Sequence, residues 1–171
     1  MKNIELKFRC KDFIHALKAV KILSAINKGV LKQTDIYFNI KPGRIKLRTI
    51  NKTEHQLVYY KRANFKSARV SNYFIEEINH PNRVKNILES IYGIKAVVIK
   101  KRRLYLYKNC RIHIDEVNGL GKFIEFEVVC LNIADEQNAS RLMDFMKREF
   151  KVITNNIIKN SYSDLIIGMK G

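Results

Sequence analysis

Odd and even positions from Lys100 to Val129 separate into two populations. Lys100 and Arg102 share one parity, as do Arg111, His113 and Asp115 and then Glu125 and Glu127, whereas Cys110, Ile112, Ile114, Ile124, Phe126 and Val128 take the other. Successive side chains of a strand point to opposite faces, so the stretch predicts strands with one apolar and one ionisable face. The stretch from Asn3 to Cys10 repeats the pattern, with Asn3, Glu5, Lys7 and Arg9 opposed to Ile4, Leu6, Phe8 and Cys10. Further strands are predicted at Gln33 to Ile40, Arg44 to Ile50, His55 to Arg62, Ser67 to Ile78, Ile94 to Tyr107, Cys110 to Val117 and Lys122 to Leu131. Turn residues separate several of them: Lys41-Pro42-Gly43, Asn51-Lys52-Thr53-Glu54, Lys108-Asn109 and Asn118-Gly119-Leu120-Gly121.

Helical spacing appears at three connections. Asp12 can cap a helix from about Phe13 to Asn27 that stops at Gly29, and His80-Pro81-Asn82 opens one that runs to Tyr92. Leu142, Phe145, Met146 and Phe150 stripe a third, about Asp135 to Phe150, and Ser161 to Gly168 is a short apolar tail, helical or extended. No linker or shift of composition divides the chain, so residues 1–171 are expected to be one domain. Eight mainly antiparallel strands with helices outside predict an α+β, mainly β, closed barrel.

If the apolar parity meets the helices, the ionisable parity lines the barrel. A lumen crowded with charge is costly unless its charges are paired or hold ligands. Cations on one strand and carboxylates on others suit an anion bound beside a divalent cation. The same alternation also fits a solvated outer face.

The formal charge of +17 points to polyanionic partners such as nucleotide, polyphosphate or nucleic acid, although the Lys-, Ile- and Asn-rich composition also fits drift in an AT-rich genome. No apolar run approaches the roughly 18 residues of a membrane span, and Met1 to Glu5 lacks the core of a secretory signal. Cys10, Cys110 and Cys130 fall on apolar parities and read as buried free thiols, so a cytoplasmic protein without a membrane partner is expected. His113 reads either as an acid or base or as a histidine hydrogen-bonded to a neighbouring carboxylate.

Several motifs fall in an order that resembles one family. Asn3-Ile4-Glu5-Leu6-Lys7 is similar to an E-x-E-x-K strand, and Asp35-Ile36-Tyr37-Phe38, Lys46-Leu47-Arg48 and Tyr60-Lys61-Arg62 follow. Lys100-Lys101-Arg102 supplies a K-x-R element, and the stretch from Asp115 to Glu127 is close to D-x-V-x-G-L-G-x-F-x-E-x-E. Ser161-Tyr162-Ser163-Asp164-Leu165 resembles a closing segment of the cyclase-like subgroup. Together they resemble the CYTH domain, the class IV adenylyl cyclase and thiamine triphosphatase family of triphosphate tunnel metalloenzymes.

The resemblance implies an eight-stranded antiparallel tunnel that binds a triphosphate lengthwise beside Mg²⁺ or Mn²⁺. Glu5, Glu125 and Glu127 would be metal ligands, with Asp115 a ligand or water-positioning group. Lys7, Arg48, Lys61, Lys100 and Arg102 would hold phosphate, joined by Lys46, Arg69 and Arg111 as basic and plausibly inward positions. Asn3 departs from the first motif glutamate; an amide carbonyl still coordinates a hard cation but carries no charge and cannot act as a base. The expectation is a triphosphatase acting on ATP, inorganic triphosphate or thiamine triphosphate. The alternatives are an adenylyl cyclase, or a tunnel that only binds polyphosphate or the 5′-triphosphate end of RNA. The chain is expected to be a monomer or homodimer.

Overall fold

Eight strands close into a ring in which every ladder is antiparallel. They are β1 (Lys2–Arg9), β2 (Ile26–Phe38), β3 (Arg44–Ile50), β4 (Glu54–Arg62), β5 (Arg69–Glu77), β6 (Ile94–Tyr107), β7 (Cys110–Val117) and β8 (Gly121–Cys130). Around the barrel the order is β1-β5-β4-β3-β2-β6-β7-β8, with β8 pairing back onto β1. The computed structural model describes residues 2–62 and 69–169, and the side chains of all these except 62 and 69–72. The start expected for the fifth strand, Ser67, lies outside the described residues.

Helices α1 (Phe13–Ile22), α2 (Pro81–Tyr92), α3 (Ile133–Glu149) and α4 (Tyr162–Gly168) join or follow the strands. Asp12 caps α1 by accepting from the His15 backbone N–H. The helix ends at Ile22, well short of the Asn27 that its stripe predicts, and Ser24 at φ 51° turns the chain into β2. Pairing with β6 overrides the helical spacing here, because Ile26 to Leu31 fall opposite Leu106 to Arg102. Gly29, read from sequence as the helix stop, instead sits at φ 94° inside a bulge of that ladder, where its N–H donates to Asn27 Oδ1. The expected Lys41-Pro42-Gly43 turn joins β2 to β3, and Gly43 adopts φ 87° where a Cβ would approach Tyr59 and the Tyr60 carbonyl to 3.0 Å.

The apolar parity of β1, β7 and β8 meets α1 and α3. Leu6, Phe8, Ile112, Ile114, Ile124, Phe126 and Val128 bury against Ala16, Ala19 and Val20 of α1 and Ala139, Met143 and Met146 of α3. Cys110 and Cys130 lie in this layer as free thiols, and Cys10 is half-buried at its edge. The helical cover is one-sided: no residue of α2 is buried, and Phe74 and Ile99 stay exposed on the outer face of their strands. Helix α4 closes one end of the barrel. Ser161 caps it in a reciprocal box with Asp164, and Tyr162 packs on Tyr37, Val98, Val117, Leu120 and Phe123.

Candidate functional site

With apolar side chains turned outward on one wall and α4 across one end, the other parity encloses a cavity of about 370 Å³. Among the described residues, Lys7, Lys46, Arg48, Lys100, Arg102 and Arg111 line it together with Glu5, Glu125 and Glu127. Nine of the twelve positions singled out from sequence therefore share one cavity. The excess of cations over carboxylates suits a polyanion.

Three do not stand on the wall. Lys61 is exposed, because Val58 and Tyr60 take the inward parity of β4 and turn Lys61 to the outer face. Asp115 is fully buried behind Arg102 instead of facing the cavity. Arg69 pairs with Glu5 along β5–β1, and its side chain lies outside the described residues.

The cations are held in place by two buried aspartates. Asp35 accepts from Arg48 Nε at 2.9 Å, Lys46 Nζ at 3.1 Å and Lys100 Nζ at 3.3 Å. Burial alone would raise its pKa, but Arg48, Lys46 and Lys100 overcome it and hold the carboxyl well below the usual range. Asp115 takes both arms of Arg102, Nε at 2.7 Å and Nη2 at 2.6 Å, and accepts from the Tyr162 hydroxyl at 2.8 Å. Against the effect of its burial, the Arg102 guanidinium brings its pKa down to about 2. Tyr162 thereby ties α4 to the tunnel wall, its ring 4.0 Å below Lys7 Nζ. The closing segment expected from sequence is a plug.

The carboxylate wall is formed by β1 and β8, where Glu5 pairs with Glu127 and Lys7 with Glu125. Glu125 lies 3.2 Å from Lys7 Nζ and accepts from Arg102 Nη2 at 3.1 Å. Against burial, Lys7, His113 and Arg102 hold it well below the usual carboxylate range. Glu127 accepts from Arg111 Nη1 at 3.3 Å and from Asn3 Nδ2. Asn3 is buried and so orients Glu127 where the motif would place another carboxylate. His113 sits between the two glutamates at 3.6 and 3.7 Å, too far for the hydrogen bond expected of it, and burial followed by Arg102 lowers its pKa.

Among the described residues, no three His, Cys, Asp or Glu side chains close into a metal cage. The donors on the wall are nevertheless all hard oxygens, and Mg²⁺ is commonly held by one or two carboxylates completed by substrate phosphates. The adjacent pair Glu5 and Glu127 fits that mode.

Burial, then Arg48, pushes Lys46 down to about 7, and burial, then Arg102, pushes Lys100 to about 8. Both must be protonated to hold an anion. Affinity for inorganic triphosphate is therefore expected to fall as pH rises from about 6 to about 9, and Lys46→Arg to flatten the first part of the fall, as read by titration calorimetry. Folding responds in the opposite sense. The unfolded chain holds more protons on these lysines between about 7 and the ordinary 10.5, so their contribution to stability rises with pH across that window.

Asp35, Gln33 and Tyr162 are site residues that the sequence reading did not select. Asp35 carried a usable signal, since it shares the parity of Gln33 and Tyr37 and its strand precedes the Lys46-x-Arg48 strand by one hairpin.

The CYTH domain family model matches residues 1–162. A protein of Methanocaldococcus jannaschii, provisionally named an adenylate cyclase, is 26% identical over 96% of this chain and 98% of its own length. The PH1012 protein from Pyrococcus horikoshii has the same fold, with a TM-score of 0.84 at 23% identity, over 95% of this chain and 98% of that one. So does a Hippeastrum protein described as a provisional adenylyl cyclase with a dominant triphosphatase activity, with a TM-score of 0.69 at 13% identity, over 99% and 95% of the two chains.

Proposed function

The chain belongs to the CYTH domain family, and from that premise we propose that it is a metal-dependent triphosphatase, cleaving the phosphoanhydride of a triphosphate held in the barrel. The observation that carries this reading is the single cavity in which six Lys and Arg side chains stand with three glutamates. Lys46, Arg48, Lys100 and Arg102 would grip the phosphate oxygens, the arginines through planar forks and the lysines as point charges. Lys7 and Arg111 extend that grip toward the carboxylate wall. Asp35 and Asp115 keep these cations aimed inward before substrate arrives, so little reorganisation is needed at the reacting bond.

Glu5 and Glu127, with Glu125 beside them, would hold the Mg²⁺ or Mn²⁺. When bound, the metal bridges phosphate oxygens and offsets the charge that develops during transfer. A carboxylate of the same wall orients the attacking water. Asn3 keeps Glu127 in position without adding charge, which leaves fewer carboxylates than the family motif provides.

The provisional name of the Methanocaldococcus relative supports a second reading, in which the substrate's own 3′-hydroxyl attacks and the products are cyclic AMP and pyrophosphate. One product assay separates the two. Purified protein with Mg²⁺ or Mn²⁺ is offered ATP, inorganic triphosphate and thiamine triphosphate in turn. Orthophosphate release that is lost in EDTA is the expected result. Cyclic AMP with pyrophosphate would establish the cyclase instead, and triphosphate binding without any product would reduce the protein to a binding tunnel.

A further inference from the structure

The inward rows of the barrel change character along its axis. Away from the end closed by α4, β3 reads Lys46, Arg48, Ile50 and β6 reads Lys100, Arg102, Leu104, while β2, running the other way, reads Asp35, Gln33, Leu31. Ile75 of β5, paired with Val58 of β4, continues the aliphatic layer and is 39% exposed. Beyond the cations, then, one wall of the cavity becomes an aliphatic surface. A ligand made only of phosphate would leave that surface in water.

Gln33 sits at the boundary between the two layers, opposite Lys100 on one side and Ile50 on the other. It lines the cavity, is only 3% exposed, and its carboxamide oxygen has no hydrogen-bond donor. An unsatisfied buried acceptor is costly. Its neighbours in the cavity are cations already committed to Asp35 and Asp115. Ionised phosphate oxygens accept hydrogen bonds and donate none, so they cannot satisfy it. The missing donor must come from a part of the ligand that is not phosphate and that lies beside the cations, within one residue step of about 3.3 Å along the strand.

We infer that Gln33, with Leu31, Ile50, Ile75 and Leu104, selects a triphosphate ester of a hydroxyl-bearing organic group over inorganic triphosphate. A sugar hydroxyl next to the first phosphate donates to the Gln33 oxygen, and the rest of the group covers the aliphatic wall. A nucleoside triphosphate has this chemistry. The inference rests on the tunnel being a triphosphate site and narrows which triphosphate it takes.

Titration calorimetry in EDTA, where turnover is absent, tests it with three probes: ATP, 2′,3′-dideoxy-ATP and inorganic triphosphate. The native protein is expected to bind ATP about tenfold or more tightly than inorganic triphosphate, with dideoxy-ATP several-fold weaker than ATP. In Gln33→Leu the ratio between ATP and dideoxy-ATP should fall to about one. ATP and dideoxy-ATP binding alike to the native protein, or inorganic triphosphate binding as tightly as ATP, would overturn the inference and leave the tunnel reading standing. If none of the three binds, the tunnel reading fails and this inference with it. The comparison on native protein decides the matter even if Gln33→Leu does not fold.

Discussion

Glu127→Gln is expected to lower triphosphate turnover by about a thousandfold while leaving the barrel intact. Glutamine has the shape of glutamate, and its side-chain carbonyl can still accept from Asn3 Nδ2. It lacks the charge that a divalent cation requires, and it leaves Arg111 without its partner at 3.3 Å. Removing one negative charge from the lumen favours an anion, so triphosphate affinity in EDTA should hold or rise as turnover collapses. Steady-state kinetics beside metal-free calorimetry reads both. A variant that retains native turnover would remove the carboxylate wall from the mechanism. One that loses binding and turnover together would point to damage in the fold.

Asp35→Asn is expected to be the most destabilising polar substitution in the site. Three buried cations converge on this carboxylate, and breaking a buried ion pair by removing one partner costs about 3–5 kcal/mol, because the remaining charge stays buried without compensation. Urea denaturation should show the loss as a lower midpoint. Asp35 also raises the pKa of Lys46 and Lys100, so without it both drop further and shed their protons more easily as pH rises. The loss should accordingly be larger near about pH 6 than near about pH 9. Inorganic triphosphate supplies the missing negative charge, so it should raise the variant's melting temperature by more than the native protein's. Equal shifts would mean that the three cations do not form the anion site. In the native protein the sign at low pH is the reverse of the lysine effect. Asp35 and Asp115 have depressed folded values, so their stabilisation is complete above the ordinary aspartate value and is lost as pH falls toward about 2.

Strands were legible where the period-2 pattern is strong and turn residues bound it. Arg44–Ile50, Ile94–Tyr107 and Cys110–Val117 begin and end in the structure where the alternation places them. Helix α1 was misread at its end, because Ala25 to Leu31 carries too little alternation to compete with the helical stripe before it. Its strand state comes from β6, a partner more than seventy positions away in sequence. The candidate site was legible to the extent that parity was. Lys7, Lys100, Arg102, Glu125 and Glu127 followed their strands into the lumen, whereas Lys61 was chosen by likeness to a motif against the parity of Tyr60 and Val58 and lies outside.

The amino-acid sequence by itself determined which residues share a face, because a strand's alternation is local. From that followed the barrel, its polar interior and its family. Only the tertiary structure decided how the charges are shared. Whether Asp115 meets metal or Arg102, whether Asp35 stands alone or beneath three cations, and whether Asn3 is a weak ligand or a support for Glu127 all depend on which strands become neighbours when the ring closes. Buried charge is stable only in company, and that company is assembled from positions up to 124 residues apart.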